Sequence, residues 1–93
     1  MPEITFVRAD TGQARAVDKA QITIGSSSDC DIQLKHPSVW AQHATVRVRH
    51  GEVSIIGADP ELSLDVNGMP VIGARTLEAG ASLRIGDVRL EVR

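Results

Sequence analysis

The chain is nearly empty of aromatic residues: Phe6 and Trp40 are the whole set, and tyrosine is absent. Surfaces that hold single-stranded nucleic acid stack bases on aromatic rings, and this chain cannot supply such platforms. Positive charge is not in excess either. Ten Lys and Arg stand against twelve Asp and Glu, for a net charge of −2, so no nucleic-acid partner is expected. Cysteine is equally scarce. The single Cys30 cannot form an internal disulfide, which suits a reducing compartment. No apolar run approaches the ~18 residues of a spanning helix. Met1-Pro2-Glu3 lacks the basic start and apolar stretch of a secretory signal. We therefore expect a cytoplasmic domain, or the cytosolic portion of a membrane-anchored protein, with no direct membrane contact of its own.

What is present is a repeating two-residue alternation. Ninety-three residues, 42% of them hydrophobic, predict a single domain over 1–93 with a core of Val, Ile, Leu and Ala. Strands are predicted at 4–7, 14–17, 21–24, 32–34, 43–49, 53–56, 62–66, 82–85 and 88–92. Residues 43–49 alternate cleanly, with Ala44, Val46 and Val48 on one face and His43, Thr45, Arg47 and Arg49 on the other. Asn67-Gly68 and Gly86-Asp87 are hairpin signals, and 10–13, 36–38 and 50–51 read as turns. Residues 57–60 read as a loop and 73–76 as a connector. Many short strands punctuated by Gly, Pro, Asn and Asp, with no helical pattern, predict an all-β sandwich of two mostly antiparallel sheets. No internal repeat or linker is visible. The close of the chain directly after its last predicted strand is what an excised N-terminal domain would show.

The run from Ile22 to Leu34, with Gly25-Ser26-Ser27-Ser28 at its centre, is followed by Val39-Trp40-Ala41-Gln42-His43-Ala44. This arrangement resembles the start of a forkhead-associated (FHA) domain, a phosphothreonine-binding module. The likeness covers roughly residues 4–92. Val66-Asn67-Gly68, Leu77, Gly80 and Ile85-Gly86-Asp87 follow in the order the family uses. The resemblance implies an FHA-like β-sandwich, with Gly25, His43, Asn67 and Gly68 in structural roles. Gly25 is expected where the chain must turn sharply, and His43 as a buried brace between loops.

The same alignment implies a changed site. Where family members carry Arg, Ser, Arg and Thr, this chain has Ser26, Trp40, Ala41 and Leu64. A phosphate dianion favours charge-assisted donors, and neutral donors are about half as strong. The chain also resembles the FHA-like cytoplasmic domain of the inner-membrane ring protein of type III secretion systems. That family often has Gly-Ser in the loop and a Gly-x-Pro-Val segment, as in Gly68-Met69-Pro70-Val71. The likeness implies docking of cytosolic sorting-platform proteins.

These readings together predict a non-catalytic protein-interaction module in a larger assembly such as a secretion basal body. Docking is expected to be phospho-independent, on a loop end built from residues 25–31, 35–42 and 57–66. Partner or phosphopeptide contacts are expected from Ser26, Ser27, Ser28, Trp40, Gln42 and Arg47, with Trp40 as anchor. The alternative is a divergent phosphothreonine-peptide reader in signalling, using the serine loop with Lys35 or Arg47 as cation. A self-associating scaffold is a third reading. Against these stand plainer ones: Trp40 packed on the sandwich end, a polar serine turn, and arginines on a solvated strand face. The partner is expected to be a protein, whether a phosphoprotein or a secretion component.

No metal or other cofactor is expected. His43 and His50 lie an odd number of residues apart on one predicted strand and so face opposite ways. Cys30, between Asp29 and Asp31, reads as a small core or loop-edge residue. Ser38 precedes His43, but no Gly-x-Ser-x-Gly elbow and no paired carboxylates accompany them, so no enzyme is expected.

Overall fold

A computed structural model of the chain describes residues 3–57, 63–71 and 73–93. Eleven strands form among them: β1 (Ile4–Arg8), β2 (Ala14–Val17), β3 (Gln21–Gly25), β4 (Ile32–Gln33), β5 (Ala44–Arg49), β6 (Glu52–Gly57), β7 (Leu64–Val66), β8 (Met69–Pro70), β9 (Ala74–Leu77), β10 (Ser82–Ile85) and β11 (Val88–Val92). One sheet has the order β2-β1-β11-β10-β7-β8, and the other β4-β3-β5-β6-β9. Every pairing is antiparallel except β3 with β4.

Alternation explains how the two sheets meet. Phe6, Leu83, Ile85 and Leu90 point inward from the first sheet, and Ile22, Ile24, Val46 and Ile55 from the second, all essentially buried. On β5, Ala44, Val46 and Val48 are buried while Arg47 and Arg49 are exposed. Burial of branched aliphatic side chains supplies most of the stabilisation, at about 25 cal/mol per Å² of apolar surface.

The segment 73–76 is not a connector. Ala74–Leu77 is the edge strand β9, with Ser54 opposite Thr76 and Ile55 opposite Arg75. Only Leu77 of the four is buried, so the strand lacks the apolar alternation that would mark it. The predicted strand at 62–66 is described from Ser63, with β7 beginning at Leu64. Its residue Leu62, most of the predicted 57–60 loop, and Met1-Pro2 lie outside the described residues.

The strand ends sort into two groups. At one end, the two-residue turns at His50-Gly51 and Asn67-Gly68 have positive φ at both positions, as tight hairpins require. At the other lie the segments 26–31 and 34–43, Ser63 and the Gly86-Asp87 turn, joined by contacts between segments far apart in sequence.

Candidate functional site

Gly25 sets the geometry of the loop end, though not as its sequence context implies. Its φ is not positive. A Cβ at this position would overlap the carbonyl oxygen of Ala41 and press on that of Trp40. The glycine therefore serves close backbone approach rather than a sharp turn. Through that gap the Ser26 N–H donates to the Trp40 carbonyl at 2.9 Å, and the Ser27 N–H to the Ala41 carbonyl at 3.2 Å. The Cys30 thiol also donates to the Ala41 carbonyl, at 3.2 Å. Half-buried Cys30 is thus a loop-edge residue.

His43 lies just before β5 rather than within it, so the alternation that assigned it to the solvated face does not reach it. It is 1% exposed. Its Nδ1 accepts the Trp40 N–H at 3.3 Å, and its Nε2 lies 2.8 Å from the Ser63 carbonyl. The first contact needs an unprotonated Nδ1 and the second a protonated Nε2, which fixes the neutral tautomer. The Ser63 carbonyl also accepts the Gly86 N–H at 3.0 Å. One imidazole thus ties the Trp40 segment, Ser63 and the β10–β11 turn together.

Ser38 makes a second tie. Its hydroxyl lies 2.7 Å from His36 Nδ1 and accepts the Asp87 N–H at 2.8 Å. A Cβ on Gly86 would stand 2.5 Å from the Ser38 carbonyl, so that glycine is needed for approach as well as for its φ of 61°. Asp31 makes a third. Its carboxylate accepts the Thr23 N–H at 3.0 Å and the Lys19 ammonium at 2.7 Å, extending the β3–β4 ladder by one rung. The Lys19 hydrogen bond, then the Thr23 N–H, holds the Asp31 carboxyl below its ordinary value. Sequence reading missed Asp31 and Ser38. Their partners Thr23 and Asp87 lie 8 and 49 residues away, and no local pattern marks them.

The structure brings Ser26, Ser27, Trp40 and Gln42 to one end of the sandwich. Trp40 is 54% exposed, with its backbone held on both sides. Ser28 and Lys35 are exposed on the same loops. Arg47 does not join them. It pairs with Gln21 on the outer face, three residues from Ala44, or roughly 10 Å along the strand. The serine loop also has few free backbone donors. The N–H groups of Ser26 and Ser27 are taken as above, the Cys30 N–H bonds the Ser27 carbonyl, and the Asp29 N–H bonds the Ser27 hydroxyl. Asn67 is more than turn chemistry, because its side-chain oxygen accepts the Ser82 N–H at 2.9 Å. Among the described residues no three His, Cys, Asp or Glu side chains are grouped to hold a metal, and no helix is long and apolar enough to cross a membrane.

Solved structures with this architecture include FHA domains. One from work on phosphothreonine-dependent FHA interactions superposes with a TM-score of 0.90 at 22% identity, over 99% of this chain and 96% of that one. The FHA domain of a Chlamydia trachomatis protein gives 0.87 at 21% identity, over 98% and 96%. Mycobacterium tuberculosis EmbR, solved with a low-affinity phosphopeptide, gives 0.91 at 22% identity over 98% of this chain and 24% of its own. At these identities the likeness establishes an FHA-type sandwich and nothing finer. No curated protein matches the chain in sequence. The family model for the cytoplasmic domain of the inner membrane component of the type III secretion system matches residues 9–93. Domains of that family, like FHA domains, are non-catalytic protein-interaction modules. Matched from the turn after β1 to its last residue, this chain belongs to that family of type III secretion cytoplasmic domains.

Proposed function

We propose that the domain docks a cytosolic component of the secretion machinery on its loop end and does so without reading phosphothreonine. The observation that carries this reading is the occupancy of the serine loop. The backbone donors of Ser26 and Ser27 are already bonded to Trp40 and Ala41, and neither Ser26 nor Ala41 is the arginine that a phosphate would favour. A phosphate placed there would meet mainly neutral hydroxyls. Leu64, at the position where relatives carry threonine, is buried in the core. What the loop end offers instead is Trp40, a large amphipathic side chain on a fixed backbone, flanked by Gln42 and Ser26. An aromatic anchor with a polar rim is the usual form of a protein-docking hot spot.

Two measurements test this. Isotope-labelled protein is titrated with a degenerate phosphothreonine peptide library while amide shifts are followed. The expected spectrum is unchanged at Gly25–Asp29 and Trp40–His43; saturable shifts there that vanish with unphosphorylated peptide would instead establish a divergent phosphopeptide reader. Separately, purified cytosolic secretion components are passed over immobilised wild type and Trp40→Ala. The variant should lose about 2 kcal/mol of binding, the threshold of a hot-spot residue. Equal retention by both would remove Trp40 as the anchor.

A further inference from the structure

We propose that a groove along the open edge of β2 takes an extended acidic segment of a partner protein, added to the sheet as one more strand. This surface runs along a strand edge and adjoins the serine loop, whose Ser28 and Cys30 line it, but does not include Trp40.

The backbone makes the case first. β2 is the terminal strand of its sheet. In its ladder with β1, Thr5 stands opposite Ala16 and Phe6 opposite Arg15. Thr5 gives both its N–H and its carbonyl to Arg93, on the far side of β1, and the Arg8 N–H reaches the Gln13 carbonyl. Antiparallel pairs alternate between bonded and non-bonded. Arg15 is therefore bonded to β1, and the N–H and carbonyl groups of Ala14 and Ala16 point outward along the edge. Their methyl side chains leave those groups open to an approaching strand. At the other edge of the same sheet, Pro70 of β8 lacks an N–H to offer.

The side chains then select the occupant. Arg15 shares the face of its partner Phe6, which points inward, and so overhangs a groove of about 470 Å³ between β1–β2 and the β4 segment. Phe6, Leu34 and Leu90, all buried, form the floor of this groove, and Arg8 and Arg15 are its cations. Arg8 is bonded through Nε to Asp10 at 2.7 Å. Among the described residues no carboxylate lies within 4.0 Å of Arg15. Asp31 borders the groove, but its oxygens are held by Lys19 and Thr23. The unmatched charge is therefore positive.

A strand added at Ala14 and Ala16 would place one side chain directly opposite Arg15 in a non-bonded pair, where side chains stand closest. A carboxylate fits that position, and the alternate side chains of the added strand would lie on the opposite face, beside Ala14 and Ala16. A second copy of this chain does not fit. Pairing Ala14 with Ala16 of the copy sets the two Arg15 side chains opposite each other, and like charges there repel.

The test uses the labelled chain and two blocked peptides, one alternating glutamate with valine and one alternating lysine with valine. The glutamate peptide should shift Ala14–Val17 and Ile32–Leu34 and slow amide exchange at Ala14 and Ala16. The lysine peptide should do neither. Arg15→Glu, at an exposed position, should weaken the glutamate peptide roughly tenfold and admit the lysine one. Equal response to both peptides, no saturable shift, or shifts confined to Trp40–His43 would overturn the proposal. Shifts at β2 without slowed exchange at Ala14 and Ala16 would overturn strand addition.

Discussion

At the hairpin end, Gly51 has a φ of 76° and nothing within 4 Å of where a Cβ would stand. At the loop end, Gly25 has ordinary φ and no room at all, because the Ala41 carbonyl fills the space. The first glycine is needed for its own backbone, the second for someone else's. Hairpin turns can be exchanged for other turns of the same geometry. The loop end holds together only while segments far apart in sequence keep their mutual distances, and those same segments present Trp40.

The largest expected effect tests that difference directly. Gly25→Ala puts a methyl against a backbone carbonyl that is itself bonded to Ser27 and Cys30. Overpacking against backbone costs about 3 kcal/mol. Gly51→Ala meets open space and bears only the left-handed backbone penalty, about 1 kcal/mol. Urea unfolding of both variants measures the two. Equal losses would mean that the loop end yields as readily as a hairpin, and the contrast would fail.

The brace comes next. His43→Gln, with its shorter reach, leaves the Trp40 N–H without its partner, whereas the Ser63 carbonyl keeps the Gly86 N–H. A buried polar group left unpaired costs about 2 kcal/mol. The variant should therefore unfold at lower urea, and amide shifts should spread to Trp40, Ser63 and Gly86 together. A loss of stability with shifts confined to Trp40 would show that the imidazole does not couple the three segments.

This contrast also governs what sequence reading could reach. Period-two alternation located the strands β1, β3, β5, β10 and β11, and the buried face of β5, because each strand carries its own apolar residues. Turn chemistry located the Asn67-Gly68 and Gly86-Asp87 hairpins, because positive φ is a demand of the residue itself. β9 was taken for a connector because an edge strand with one buried residue has no pattern to show. The loop end was legible only as a likeness in Gly25 and His43. Why the glycine is required, and that Ser38 and Asp31 complete the bracing, depends on partners brought near by folding. Arg47 was grouped with the loop residues by chemistry, whereas strand geometry sets it on another face.

The smallest effect separates a carboxylate built into the loop end from one on a turn. Asp31 and Asp10 both have a carboxyl held below its ordinary value of 3.8, chiefly by a side-chain hydrogen bond from Lys19 and from Arg8 respectively. Asp31 also receives the Thr23 N–H, whereas Asp10 is an exposed partner on the β1–β2 turn. A group with a depressed folded-state pKa contributes stability that is fully present above its unfolded value. That contribution is lost as pH falls through the lower folded value. For Asp31 the loss therefore begins near pH 3.8 and continues below it. Urea unfolding of wild type and Asp31→Asn from pH 7 downward should show a gap that is constant near neutrality and closes in acid. Asp10→Asn should show almost none, because exposed pairs are screened by solvent. A gap of equal size for both variants would mean that the Thr23 rung adds nothing, and that Asp31 is simply another surface ion pair.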